Sequence, residues 1–121
     1  MPSLFMLDTD TCIFLMRRAS QKLEAKVQSV PLQNQVMSAV TFAELSYGVQ
    51  ASVAARRKQN QATLDSLALH LAVLDWPQDA AKFYAEIRFD LKKRGAQLGA
   101  ADLMIAAVSY THLTLPTKRI V

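Results

Sequence analysis

LFMLDTDTC, residues 4–12, is the most informative segment of the chain. Its four apolar residues, Leu4 to Leu7, stop abruptly at Asp8. A short apolar run of this kind is typical of a strand buried in a parallel sheet, with its carboxyl end at an acidic turn. Residues Thr11 to Arg18 then carry apolar side chains at helix-compatible positions. The segment therefore predicts a buried strand followed directly by a helix.

Similar strand and helix patterns recur along the rest of the chain. Val36 to Val40 and Leu71 to Leu74 are two further apolar runs. Helical patterns start at Thr41, extend over Arg56–His70, run from an N-cap at Asp79 to a stop at Gly95, and cover Ala100–Val108. Alternating strands and helices predict an α/β fold with a parallel sheet covered on both faces. In such folds functional groups gather at the carboxyl ends of the strands.

Three acidic residues, Asp8, Glu44 and Asp102, stand in apolar surroundings. Each has a purely structural explanation. Asp8 could cap the following helix, and Glu44 could form a capping box with Thr41. Asp102 could be an acid of the kind that is favoured in the first turn of a helix. A parallel sheet would nevertheless bring all three to one edge, where clustered carboxylates repel unless a cation such as Mg²⁺ or Mn²⁺ binds them.

The amino-acid composition excludes several classes of protein. The chain has 121 residues, 51% of them hydrophobic, and a formal net charge of +4, which suits one globular domain with its own core. One cysteine excludes a disulfide framework, and with two histidines it also excludes a zinc site of Cys and His ligands. No apolar run approaches the ~18 residues of a membrane span, and Asp8 and Asp10 interrupt the apolar start. We therefore expect no membrane association and a cytoplasmic location.

Basic residues form separate clusters, and one of these is Lys92–Arg94. The candidates for contacts to RNA phosphates are Arg17, Arg18, Arg56 and Arg57, although solvated helix faces explain these four equally well.

Two other residues are predicted to pack rather than react. Cys12 has no histidine near it in sequence, so it is interpreted as a small buried hydrophobe and not as a nucleophile. Trp76 precedes Pro77 at a strand end and is predicted to pack in the core or at its rim.

Three short motifs occur in order along the chain. They are Leu7-Asp8-Thr9-Asp10 followed by Thr11-Cys12-Ile13, then Glu44-Leu45-Ser46-Tyr47-Gly48, and Asp102-Leu103-Met104-Ile105-Ala106-Ala107. Together they resemble the successive signatures of PIN-domain ribonucleases. More narrowly, they resemble the VapC toxins of bacterial type II toxin–antitoxin systems, including the initiator-tRNA endonuclease branch. The resemblance covers roughly residues 4–108.

The resemblance implies a three-layer α/β/α sandwich with a parallel sheet and an endoribonuclease that depends on Mg²⁺, with Mn²⁺ as an alternative. It also implies an RNA substrate, a VapB-like antitoxin and a homodimer. Asp8, Glu44 and Asp102 match the family's first three catalytic, metal-binding acids. Asp10 matches a polar helper near the metal, although the residues alone make it a cap. The Thr9 hydroxyl could orient a ligand or make a helix-entry hydrogen bond.

The chain departs from the family pattern after about residue 108. The family continues with a strand, a Thr-Asn-Asn-like turn, a fourth acid and a last strand, whereas no Asp or Glu follows Asp102 here. We expect an incomplete PIN-like domain over residues 1–108 that lacks its C-terminal strands. Residues 109–121 are interpreted as an atypical tail from truncation, a frameshift or adapter sequence. The alternative function is a non-catalytic remnant that binds an antitoxin-like partner or RNA without turnover.

Overall fold

A computed structural model describes residues 4–17, 21–112 and 118–120, and over these ranges each of the first three strands is followed by two α-helices. The first strand–helix segment comprises β1 (Phe5–Leu7), α1 (Thr9–Arg17) and α2 (Gln21–Gln28). The second comprises β2 (Gln35–Ser38), α3 (Ala39–Gln50) and α4 (Ala54–His70). The remainder comprises β3 (Ala72–Leu74), α5 (Ala80–Lys93), α6 (Ala100–His112) and β4 (Lys118–Ile120). None of the described helices is both long and apolar enough to cross a membrane.

The strands form one parallel sheet in the order β3-β2-β1-β4. Met6 lies opposite Val36, and Met37 lies opposite Val73. Because neighbouring strands run in the same direction, the carboxyl ends of β1 and β2 meet at one edge of the sheet. The predicted α/β class with a parallel sheet is confirmed.

The two faces of the sheet pack into separate hydrophobic clusters. Side chains alternate along a strand, so Leu7 and Met37 face one cluster while Met6 and Val36 face the other. The first cluster also takes buried side chains from α1, α2, α3 and α4, whereas the second takes them from α6. Helix α5 packs against α6. This is the expected three-layer arrangement.

Some strand and helix boundaries in the structure differ from the predicted ones. β2 ends at Ser38 rather than Val40, because the Ser38 hydroxyl accepts a hydrogen bond from the Val40 N–H at 3.1 Å and caps α3. Ser38 stands inside an otherwise apolar run, so the sequence did not mark this boundary. Gly95, with φ +69°, follows the C-cap of α5 and ends the helix as predicted.

The C-terminal region contributes a strand, so the expectation that the C-terminal strands are missing is wrong at β4. Phe5 of β1 lies opposite Lys118, and Leu7 lies opposite Ile120. A parallel ladder joins backbone N–H and C=O groups, and basic side chains therefore do not prevent this pairing. Helix α6 continues to His112, past the predicted domain boundary at residue 108. The interpretation of residues 109–121 as a foreign tail stays a prediction.

Candidate functional site

Asp8 is the residue that follows β1, and its side chain is buried. Its Oδ1 accepts a hydrogen bond from the Thr11 N–H at 2.9 Å, and its carbonyl oxygen accepts one from the Cys12 N–H at 3.1 Å. This is N-cap geometry, so the prediction that Asp8 caps α1 is confirmed. The capping prediction for Asp10 is wrong, because Asp8 makes that bond while Asp10 lies exposed in the first turn of α1. The cap fixes the Asp8 carboxylate at the end of β1.

Glu44 is tied to the same strand end through Thr9. The Thr9 hydroxyl donates to Glu44 Oε1 at 2.5 Å and lies 3.3 Å from the Thr41 hydroxyl oxygen. Thr9 thus orients a carboxylate on α3 instead of making a helix-entry hydrogen bond. The capping box of Thr41 and Glu44 is also wrong, since Ser38 caps α3 and Glu44 falls in its second turn.

Asp102 lies in the first turn of α6, as predicted. The turn begins at Gly99, whose carbonyl oxygen accepts from the Leu103 N–H at 2.9 Å. Helix α6 packs against α3, the helix that carries Glu44. The third acid is therefore presented by a separate element, on the other face of the sheet.

Trp76 holds α6 in place. Its indole N–H donates to the Met104 carbonyl oxygen at 2.9 Å, two residues after Asp102. The Tyr84 ring meets the indole edge-on, with 6.4 Å between centroids and an angle of 82°. Sequence reasoning predicted packing for Trp76, and the structure adds a hydrogen bond that its position before Pro77 did not indicate.

The three acids do not form a ready-made metal cluster. Within residues 4–17, 21–112 and 118–120, no three His, Cys, Asp or Glu side chains come close enough to hold one ion. Thr9 links Glu44 to the strand end that carries Asp8, while Asp102 stands on α6. The available donors are carboxylate and hydroxyl oxygens, and this donor set fits a hard dication such as Mg²⁺.

Cys12 lies in the larger core and is fully buried. Burial, with a smaller effect from the negative charge of Asp8, raises the pKa of its thiol to about 12. The thiol is therefore protonated at neutral pH and is neither a nucleophile nor a soft metal ligand. The packing prediction for Cys12 is confirmed.

One of the predicted phosphate-contacting arginines lines a cavity together with an acid of the site, and a second lines the adjoining cavity. Arg17 and Glu44 line a cavity of about 190 Å³ between α1, α3 and α4. Arg17 and Arg56 line an adjoining cavity of about 470 Å³. Arg57 is exposed and donates to the Ser52 carbonyl oxygen at 3.3 Å, while Arg18 lies outside the described residues.

Asn60 lines both cavities and was not singled out from the sequence. Its amide donates to the Ser52 hydroxyl at 2.8 Å. A single polar residue on an exposed helix carries no sequence signal for such a position.

Comparisons with known proteins agree with this arrangement. A family model described as PIN domain matches residues 5–113. The chain is 34% identical over 102 residues to the tRNA(fMet)-specific endonuclease VapC of Salmonella typhimurium, covering 84% of this chain and 75% of that protein. The DNA-bound VapBC structure from Salmonella typhimurium aligns with a TM-score of 0.79 at 31% identity, over 89% of this chain and 80% of that one. A member of the VapBC family of toxin–antitoxin systems from Mycobacterium tuberculosis aligns with a TM-score of 0.73 at 34% identity, over 96% and 83%.

Proposed function

The chain belongs to the PIN-domain family, and from this membership we propose that it is a VapC-type toxin that cleaves RNA endonucleolytically. Similar proteins carry the names ribonuclease and tRNA-specific endonuclease. Transfer RNA is therefore the first substrate class to test. Hydrolysis adds a water oxygen to phosphorus and breaks one P–O ester bond, which leaves a phosphate monoester and a hydroxyl group.

The observation that carries the proposal is the joining of oxygen donors at the strand ends. Asp8 is fixed after β1 by its capping hydrogen bond with Thr11, and Glu44 is aimed at the same place by Thr9. Carboxylates oriented by neighbouring hydrogen bonds are suited to bind a hard cation once the side chains close around it.

We propose that Asp8, Glu44 and Asp102 hold a divalent cation, Mg²⁺ or alternatively Mn²⁺. When bound, such an ion lowers the pKa of a water molecule and stabilises negative charge on the leaving oxygen. Thr9 keeps the Glu44 carboxylate oriented, and Asp10 is the proposed polar helper near the ion.

Arginines supply the proposed phosphate contacts. Arg17 lines the cavity that Glu44 also lines, and Arg17 and Arg56 together line the adjoining cavity. Arg57 lies on the same exposed turn of α4 as Arg56. Guanidinium groups bind phosphate oxygens, and they would orient the RNA strand without reading its sequence. Arg18 follows α1 and belongs to the same proposed set.

A VapB-like antitoxin is the proposed protein partner, because the similar solved structures include VapBC complexes. We also propose a homodimer as the toxin's own assembly and the cytoplasm as its location. Co-purification with a VapB-type protein, followed by mass determination of the complex and of the free toxin, tests both associations.

The direct test of the proposed function uses Asp8→Asn. Asparagine caps helices as well as aspartate does, so α1 keeps its cap while the site loses a charged ligand. We expect cleavage of bulk tRNA in MgCl₂ by the full chain to fall at least a hundredfold or so, because the metal's contribution is lost. Gel electrophoresis of the RNA measures cleavage, and circular dichroism measures whether the variant keeps its fold.

Asp79→Asn is the matched control, since Asp79 is the exposed N-cap residue of α5 and makes no side-chain capping bond. We expect it to cleave like the parent chain. Equal cleavage by Asp8→Asn and the parent chain would remove Asp8 from the mechanism. RNA binding by the parent chain with no cleavage in either Mg²⁺ or Mn²⁺ would favour the non-catalytic remnant.

A further inference from the structure

A second cleft, of about 540 Å³, opens between α5 and α6 and is separate from the cavities beside Glu44. One wall is the face of α5 that carries Tyr84, Arg88 and Lys92, spaced four residues apart. The other wall includes Ala100 and Leu103, which belong to the same helical turn as Asp102. The cleft therefore adjoins the helix that presents the third acid.

The three basic side chains of residues 92–94 lie in different surroundings. Lys93 extends over the Phe89 ring, with its Nζ 5.0 Å from the ring centroid. Arg94 pairs with Asp90 at 3.2 Å. Lys92 lines the cleft. Three consecutive positive charges thus have three different surroundings, and only the environment of Lys92 is shared with Arg88.

Arg88 is held in position at the cleft. Its Nη1 donates to the Tyr84 hydroxyl at 3.3 Å, and its guanidinium carbon lies 6.0 Å from the centre of the Tyr84 ring. The Tyr84 ring in turn contacts Trp76, which is hydrogen-bonded to α6. A cation anchored in this way loses less conformational freedom when it binds an anion.

The charge of the cleft favours an anionic occupant. Arg88 and Lys92 stand four residues apart on one helix, where like charges repel. Of the described residues that line the cleft, none is acidic. Bound phosphate would offset the repulsion, while Leu91 and Leu98 provide apolar surface and Gln97 an amide. The volume of about 540 Å³ lies within the roughly 300–1,000 Å³ of sites that bind small molecules.

We propose that this cleft binds a phosphate-bearing nucleotide of the RNA strand that flanks the cleavage site, with Arg88 and Lys92 as its phosphate contacts. The inference rests on the proposed function, because it places the RNA strand beside the turn that carries Asp102. RNA is favoured over a protein partner because the charged residues that line the described part of the cleft, Arg88 and Lys92, are both cations.

Binding of a fluorescein-labelled oligouridylate to the full chain in EDTA tests the cleft without cleavage. We expect Arg88→Gln and Lys92→Gln each to weaken binding about five- to tenfold. The slope of log affinity against log salt is negative, and its magnitude should fall by about 0.7 for each lost phosphate contact on a single strand. Both side chains are exposed, and circular dichroism verifies that each variant is folded.

Lys93→Gln is the matched control, because it removes the same charge one residue away and outside the cleft. We expect it to change affinity less than twofold or so, through long-range charge alone. Equal weakening by Lys92→Gln and Lys93→Gln would show general attraction and overturn the proposal. Unchanged RNA affinity in Arg88→Gln and Lys92→Gln would also overturn it and would leave a protein as the cleft's occupant.

The two proposals fail independently in this design. Weakened binding in EDTA together with no metal-dependent cleavage by the parent chain would support the cleft and contradict the nuclease. Full cleavage by the parent chain together with unchanged binding by the cleft variants would support the nuclease and contradict the cleft.

Discussion

The face of the sheet that carries Leu7 and Met37 is packed by four helices, whereas the face that carries Met6 and Val36 takes its buried helical side chains from α6. Among the described side chains, the first cluster buries Leu7, Cys12, Val27, Met37, Leu45, Val49, Leu64 and Leu71. The second buries Met6, Val36, Ile105 and Val108. The proposed site takes Asp8 and Glu44 from elements of the larger core and Asp102 from the smaller one. The helix that carries Asp102 therefore rests on the smaller of the two buried clusters.

We expect the two faces of the sheet to differ most in the stability that is lost when a buried core side chain is replaced by alanine. Leu64 and Ile105 are both fully buried, one in each cluster. We expect Leu64→Ala to lower the free energy of unfolding by about 4 kcal/mol and Ile105→Ala by about 3 kcal/mol, because the smaller cluster has fewer surrounding groups to lose contacts. Urea unfolding measures both values. A larger cost for Ile105→Ala would reverse the ranking of the two cores.

The buried Cys12 thiol makes the free energy of unfolding depend on pH. The native thiol keeps its proton up to a pKa of about 12, while the unfolded thiol loses it near 9.0. Between these values the unfolded state binds fewer protons, so the free energy of unfolding falls as pH rises, by up to about 1.4 kcal/mol per pH unit.

Cys12→Ala should remove this part of the pH dependence. Urea unfolding of the parent chain and the variant, below pH 9.0 and about one unit above it, measures the difference. Parallel curves for the two proteins would show that the thiol is accessible to water in the native state.

Trp76→Phe tests the attachment of α6 on the smaller-core side. The substitution keeps an aromatic ring but removes the donor to the Met104 carbonyl oxygen. We expect the free energy of unfolding to fall by about 1 kcal/mol. The Mg²⁺ affinity should also fall a few-fold, because Asp102 lies two residues before Met104 in α6. Lower stability with unchanged Mg²⁺ affinity would limit Trp76 to packing.

Gly48→Ala should produce the smallest effect, on a helix of the larger-core side. Gly48 lies inside α3, and a Cβ there would meet no heavy atom of the described residues within 4 Å. Alanine restricts the unfolded chain and favours the helix, so we expect a gain of about 0.5–1 kcal/mol in the free energy of unfolding. A loss of stability in thermal unfolding would show that α3 is packed more tightly at this position.

Much of the fold could be predicted because apolar runs end at clear polar signals. The run Leu4–Leu7 ends at Asp8, and Gly95 stops α5, so these boundaries are nearly correct. The β2 boundary could not be predicted, since Ser38 interrupts an otherwise apolar run and a serine that caps a helix looks like any other serine. β4 was missed because its pairing with β1 uses the backbone, which leaves no pattern in a basic segment.

The acids of the site could be located in sequence, but their contacts could not. Asp8 and Glu44 were identified by their apolar surroundings, whereas the hydrogen bond from Thr9 to Glu44 joins residues 35 positions apart. The tie from Trp76 to Met104 spans 28 positions. Such long-range contacts depend on how helices pack, and one sequence shows no periodicity that specifies them.

We propose that carboxylates supported by both faces of the sheet bind one divalent cation. Isothermal titration of the full chain with Mg²⁺ tests this claim most directly, with Asp8→Asn and Asp102→Asn measured alongside the parent chain. We predict one bound ion per chain and a loss of more than about tenfold in affinity for each variant, since each removes a charged ligand. Parent-like Mg²⁺ binding by Asp102→Asn would contradict the claim.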